Sequence, residues 1–187
     1  MRMAVWMAGA LAGLSMMIAP ALAQSGFTSA YTDFDLDACL VLEADDFGAQ
    51  WACPGYKGFP MLVREGDLRF SVAFGFNPDA NVVGFQTLPP FNYIRGKVEW
   101  RLSNAAGRWM PIATIMRYFT DGAEENSDDG QVLVVTQIAD GNSCHIAYVD
   151  ALANENANEL ARQATDAAGD FDCASDEVEI IGAFAAY

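Results

Sequence analysis

The sequence predicts an α+β fold: an antiparallel β-sheet of about seven to eight strands, made of hairpins plus a meander, with one C-terminal helix packed on it and two disulfides. Three observations carry this. Apolar and polar residues alternate with the two-residue period of strands along most of the stretch from Asp33 to Asp150. Clusters of Gly, Asp and Pro interrupt that alternation at hairpin spacing. Only after Asn156 does the apolar spacing change to that of a helix.

The chain opens on an export signal. Arg2 supplies a positive start, Ala4 to Ala19 is apolar, Pro20 breaks the run, and Ala21-Leu22-Ala23 places small residues where a signal peptidase reads. Residues 1–23 are thus expected to be cleaved, leaving 24–187 as a single globular α+β domain of ordinary size. Gln24 follows the cut, so no cysteine stands there to take a lipid anchor. No later segment approaches the ~18 uninterrupted apolar residues of a membrane span. A periplasmic or secreted protein is expected, with no membrane insertion after signal removal.

The first strand is read from Phe34, Leu36, Ala38, Leu40 and Leu42, which alternate with Asp33, Asp35, Asp37, Cys39 and Glu43. Ala44 to Ala49 turns the chain, and Gln50 to Cys53 returns. Folding about Asp46 sets Cys39 opposite Cys53, and directly opposed strand residues lie at ~4.5 to 5.5 Å, within disulfide reach. After the Gly/Pro turn of 54–59, Met61 to Arg64 and Leu68 to Phe76 form a second hairpin across Glu65-Gly66-Asp67. Its second strand carries Leu68, Phe70, Val72, Phe74 and Phe76 on one face, an expected core row.

From Asn77 to Asn92 the pattern fails, with Pro78, Gly84, Pro89 and Pro90. A connection this long and irregular is often functional. Phe85, Leu88, Pro89, Pro90, Phe91 and Tyr93 are therefore the expected binding residues; Pro89-Pro90 stiffens the segment so that less entropy is lost on binding. The competing expectation is that the aromatic rings fold back as a lid on the core.

A four-strand meander follows: Lys97 to Leu102, Trp109 to Thr120, Gln131 to Ala139, and Cys144 to Asp150. Its turns fall at 103–107, at the acidic stretch 121–130 and at Asp140-Gly141-Asn142. Trp109 to Phe119 is apolar on both faces, which demands a cover on each. The helix is the expected cover. Asn156 with Glu159 resembles a capping box, Ala157, Leu160, Ala161, Ala164 and Ala168 recur at helical spacing, and Gly169 is the stop. The strand from Cys144 climbs about 23 Å and the helix descends about 20 Å at standard rises, which returns Cys173 to the level of Cys144. Val178 to Phe184 could add a last strand.

Composition narrows the function. The formal net charge is −15, and the leader holds Arg2 and no acid, so the exported chain is more acidic still. Such a surface repels nucleic acid and anionic lipid and attracts cationic partners or divalent ions. All four cysteines, Cys39, Cys53, Cys144 and Cys173, lie in an exported chain, where disulfides persist. No zinc spacing, N-x-S/T sequon, P-loop or dinucleotide fingerprint occurs, and no cofactor is expected.

Asp33, Asp35 and Asp37 invite a weak calcium reading. Against it, the twelfth position of an EF-hand loop begun there is Ala44 rather than Glu, and alternate strand residues stand ~6.6 to 7 Å apart. His145 is the one histidine, so any triad must run through it. Arg95, Lys97 and Arg101 share a strand face with Glu99; they are expected to pair with neighbouring carboxylates, or else to hold an anion. The overall expectation is a non-enzymatic binding, inhibitor or adaptor-type module meeting an unknown protein or small-molecule partner in the envelope, with the acidic charge favouring a cationic one. The alternative is a small secreted hydrolase using carboxylates that the sequence does not single out.

Overall fold

The computed structural model describes residues 26–78, 81–121, 130–139, 141 and 143–182. The expected leader, residues 1–23, and most of the acidic turn lie outside these residues. Among the described residues ten strands and one α-helix follow in chain order: β1 (Phe27–Phe34), β2 (Leu40–Ala44), β3 (Gly48–Cys53), β4 (Met61–Gly66), β5 (Arg69–Phe74), β6 (Asn92–Ser103), β7 (Met110–Thr120), β8 (Gly130–Gln137), β9 (His145–Asp150), α1 (Ala157–Asp166) and β10 (Glu179–Ile181).

The strands form two sheets, not one of seven or eight. The larger runs β1-β6-β7-β8-β9-β10 and the smaller β2-β3-β4-β5. Pairing is antiparallel except at the edge, where β10 lies parallel to β9.

The division starts at Asp35. The alternation across Asp33 to Glu43 reads as one strand, but Asp35 caps a 3-10 turn over Leu36–Ala38, its carboxylate accepting from the Asp37 N–H at 3.1 Å. Aspartate offers the backbone this local alternative to a ladder, and here it turns the chain out of the large sheet into the small one. The preceding strand, β1, was not among those expected. Its inward residues Ala30, Thr32 and Phe34 are mostly small or polar, so its pattern is weak; it pairs with β6 from Phe27↔Ser103 to Phe34↔Gly96.

The main core lies between the two sheets. It joins Phe34, Met61, Val63, Val72, Phe74, Val98, Trp100, Met116, Tyr118, Val132 and Val134. Trp100 sits at its centre, with Phe74 edge-on at 5.5 Å and its indole N–H donating to Thr32 Oγ1 at 3.0 Å. Gly55 is required beside it, because a Cβ there would stand 2.8 Å from the Trp100 ring and collide with the Phe59 carbonyl. Only the middle of the expected β5 row is core. Val72 and Phe74 are buried, whereas Leu68 lies in the turn at φ +58° and Phe76 lies beyond the strand, both exposed.

A second core lies on the other face of the large sheet, under α1. Ala157, Ala161 and Ala168 pack on Ala113, Ile115, Leu133, Val135, Ala147 and Val149. Alanines let the helix approach closely, and the buried methyls supply the cover that β7 and β8 need. Asn156 makes no side-chain cap, contrary to the capping-box expectation; its backbone is not extended (φ −102°, ψ 24°). The helix ends at Asp166, before Gly169, and a 3-10 turn over Ala168–Asp170 follows; Gln137 holds that turn, donating to Ala168 O at 2.5 Å and Phe171 O at 2.9 Å.

The disulfides are Cys39–Cys53, with Cα atoms 4.5 Å apart, and Cys144–Cys173, at 5.8 Å. Next to the first, Leu40 pairs Ala52 and Val41 pairs Trp51, the register centred on Asp46; a bulge between Val41 and Glu43 then shifts the ladder toward the turn. Two bridges belong to an oxidising compartment. Among the described residues no helix is long and apolar enough to cross a membrane.

Candidate functional site

The segment between β5 and β6 is a strap rather than a free loop. A 3-10 turn over Val82–Phe85 drops Val83 onto Leu62 and Ala73, on the outer face of the small sheet, and Leu88 enters the main core. Polar groups fasten the rest. The Gly84 carbonyl accepts from Ser71 Oγ and Arg64 Nη1, both at 3.0 Å, and Thr87 Oγ1 donates to Phe70 O at 2.6 Å. Buried Asn92 donates to Pro90 O at 2.9 Å while its Oδ1 accepts from the Phe70 N–H at 3.0 Å. The strap also reaches the large sheet: Asn81 Oδ1 accepts from Ser143 N, and Gln86 Oε1 from His145 N. Its described backbone is thereby held from both sheets.

On this anchored strap two phenyl rings face solvent. Phe85 is 74% exposed with the Arg64 guanidinium carbon 5.0 Å from its centroid; Phe91 is 40% exposed with that of Arg69 at 4.7 Å. Arg64 is held by Gln50 Oε1 at 2.9 Å, and Arg69 by Pro89 O at 2.8 Å and Asp67 at 2.5 Å. Between the two arginines runs a groove of about 350 Å³ lined by Glu65, Ser71, Phe85 and Thr87. Phenyl rings carry no exchangeable proton and guanidinium stays charged, so these groups offer contact area and hydrogen-bond donors rather than proton transfer.

The six expected binding residues are therefore split. Phe85, Pro89 and Phe91 are exposed, and Pro90 is half-buried. Leu88 is fully buried and belongs to the core, where it has no surface to give a partner. Tyr93 turns to the opposite face of the large sheet, its ring stacked on Phe119 at 5.2 Å, because it is already in β6 and the strand alternates. Arg64 and Arg69 were not expected at the site. The available signal was that both flank the β4–β5 turn, Arg64 in β4 and Arg69 at the start of β5.

The other singled-out residues do different work. Asp33 pairs with Lys97, and Asp35 caps its turn, with Asp37 as donor. Among the described residues no three His, Cys, Asp or Glu side chains gather to hold a metal. His145 is buried, its Nδ1 2.8 Å from the Tyr148 hydroxyl, and burial lowers its pKa to about 3 and raises that of Tyr148 to about 12. A histidine so enclosed has no path to a substrate. Of the basic strip, Arg101 binds Asp166 on α1 through both carboxylate oxygens (2.5 and 2.8 Å), and Glu99 takes Arg162 at 2.7 Å. Compared with protein-family models, with curated proteins and with solved structures, the chain matches none.

Proposed function

We propose that this protein is an exported, non-enzymatic binding module of the cell envelope that meets a protein or small-molecule partner on the strap face. The observation that supports this reading is the pair of exposed rings, Phe85 and Phe91, each resting on an arginine, on a backbone anchored by Val83, Leu88 and Asn92. Aromatic anchors held in place lose little freedom on association, and few residues of that kind carry most of an interface's energy. The chain's formal net charge of −15 favours approach by a cationic partner.

The test is capture from envelope extract by the mature wild-type protein and by a Phe85→Ser/Phe91→Ser variant with an unchanged melting temperature, with a photo-cross-linking residue at position 85 marking the contact. Partner capture that the variant loses, and a cross-link to that partner from position 85, are expected. Equal capture by a stable variant overturns the reading.

A further inference from the structure

On the face opposite the strap, the large sheet carries a second concavity. It is a cleft of about 390 Å³ beside the amino end of α1, within the size range of small-molecule sites. Its floor is apolar, made by Ile115, Phe119 and Leu133. Its rim is cationic, made by Arg95, Lys97 and Arg117. α1 covers the sheet only from Ala157 onward, and the cleft begins where that cover stops, with Asn158 at its border.

The charges at this rim are only partly answered. Lys97 is paired with Asp33 across the β1–β6 ladder. Glu99, the one carboxylate among the described lining residues, is committed to Arg162 and to Ser29 Oγ, the latter at 2.6 Å. Arg117 donates to a neutral acceptor, Gln131 Oε1, at 2.9 Å. Arg95 lies over the Phe119 ring at 4.3 Å and the Tyr93 ring at 5.4 Å. Among the described residues, then, neither Arg95 nor Arg117 meets a carboxylate, on a chain where acids outnumber bases 25 to 10. Two guanidinium groups that meet no carboxylate among the described residues, above an apolar floor, define a specific complement. The amino end of α1 adds the positive end of its dipole on the same side.

We propose that this cleft binds an organic anion, a carboxylate or phosphate group carried on an apolar body. The head group meets the forked donors of Arg95 and Arg117, which suit planar or tetrahedral oxyanions. The body lies on Ile115, Phe119 and Leu133. This site is independent of the strap face and lies on the other side of the large sheet, so either stands if the other fails.

The test is titration calorimetry of the mature protein with four probes: 1-naphthyl phosphate, 1-naphthoate, inorganic phosphate and neutral 1-naphthalenemethanol. Saturable binding of at least one naphthyl anion is expected, with inorganic phosphate and the neutral alcohol each weaker by about tenfold or more. The two anionic arms separate a phosphate from a carboxylate preference. Arg95→Met and Arg117→Met should each weaken the anion by about tenfold, while Arg108→Met, on the exposed β6–β7 turn, leaves it unchanged. Chemical-shift changes at the Leu133 and Ile115 methyls report the position even where a variant folds poorly. No saturable binding by either naphthyl anion overturns the proposal. So does equal binding of the neutral alcohol, or equal loss in all three variants.

Discussion

Glu99 on β6 and Arg162 on α1 meet at 2.7 Å across the boundary between the large sheet and its helix, and Glu99 is only 7% exposed. Ser29 Oγ completes the carboxylate at 2.6 Å, while one turn along α1 Asp166 receives Arg101. The hydrogen bond to Glu99 is the largest cause raising the Arg162 pKa, followed by the opposing pull of burial. Two oppositely oriented ion pairs thus pin one helix face to β6.

Breaking one half of the first pair leaves a buried charge with too few partners. Arg162→Met is expected to lower stability by about 2 to 3 kcal/mol, less than for a wholly enclosed pair because Arg162 is itself partly solvated. The double variant Arg162→Met/Glu99→Leu should recover part of the loss. Urea unfolding of the four proteins measures the coupling; additive effects would show that the two side chains do not act as a pair.

His145 makes stability depend on pH. Its folded pKa of about 3 lies below the unfolded value near 6.5, so between those values the unfolded chain takes up a proton that the folded one refuses. Stability is therefore full above about pH 6.5 and falls as the solution is acidified, by at most about 1.4 kcal/mol per pH unit from this group. His145→Gln removes that slope. Parallel denaturation curves at pH 7, 6 and 5 check it, since the carboxylates titrate in both proteins and only the difference belongs to the histidine.

Residues of the strap should separate cleanly under mutation. Leu88→Ala empties a fully buried position and is expected to cost about 2 to 4 kcal/mol. Phe85→Ser removes an exposed ring and should cost well under 1 kcal/mol. Thermal melts decide this, and a large loss with Phe85→Ser would mean that the ring serves the fold.

Peptide mapping without reduction should recover Cys39 joined to Cys53 and Cys144 joined to Cys173. A Cys39 to Cys144 link would contradict the topology. Cys144→Ala/Cys173→Ala should lower stability by about 3 to 4 kcal/mol on the chain-entropy model for a separation of 29 residues.

Local physics made much of this molecule legible in its sequence. The meander from β6 to β9 announces itself through two-residue alternation and turn residues, and the alanine stripe of α1 through helical spacing. These patterns need only the near neighbours of each residue. Opposition of Cys39 and Cys53 follows from counting about Asp46, because a hairpin converts sequence distance into register.

Other features depended on groups far apart in the chain. One run of alternating residues became β1, a capped turn and β2 because the Asp35 carboxylate closes a turn that alternation alone does not reveal. Leu88 and Phe91 look alike as apolar loop residues, and only the space between the two sheets decides that the first is core and the second surface. Tyr93 seemed to belong with Phe91, yet Phe91 precedes β6 and rests on Arg69, while Tyr93 is already in β6, opposite Phe119, on the face away from buried Asn92 and Ile94. That Arg95 and Arg117 meet no carboxylate among the described residues is likewise a tertiary fact: α1 delivers Arg162 to Glu99 and Asp166 to Arg101 but stops short of the cleft. The sequence by itself determined the hairpins from β2 to β5, the meander from β6 to β9 and the helix, though not β1, since hydrophobic period and turn chemistry act locally. Tertiary structure decided which faces were covered and which charges were left to solvent, because burial depends on what another part of the chain brings.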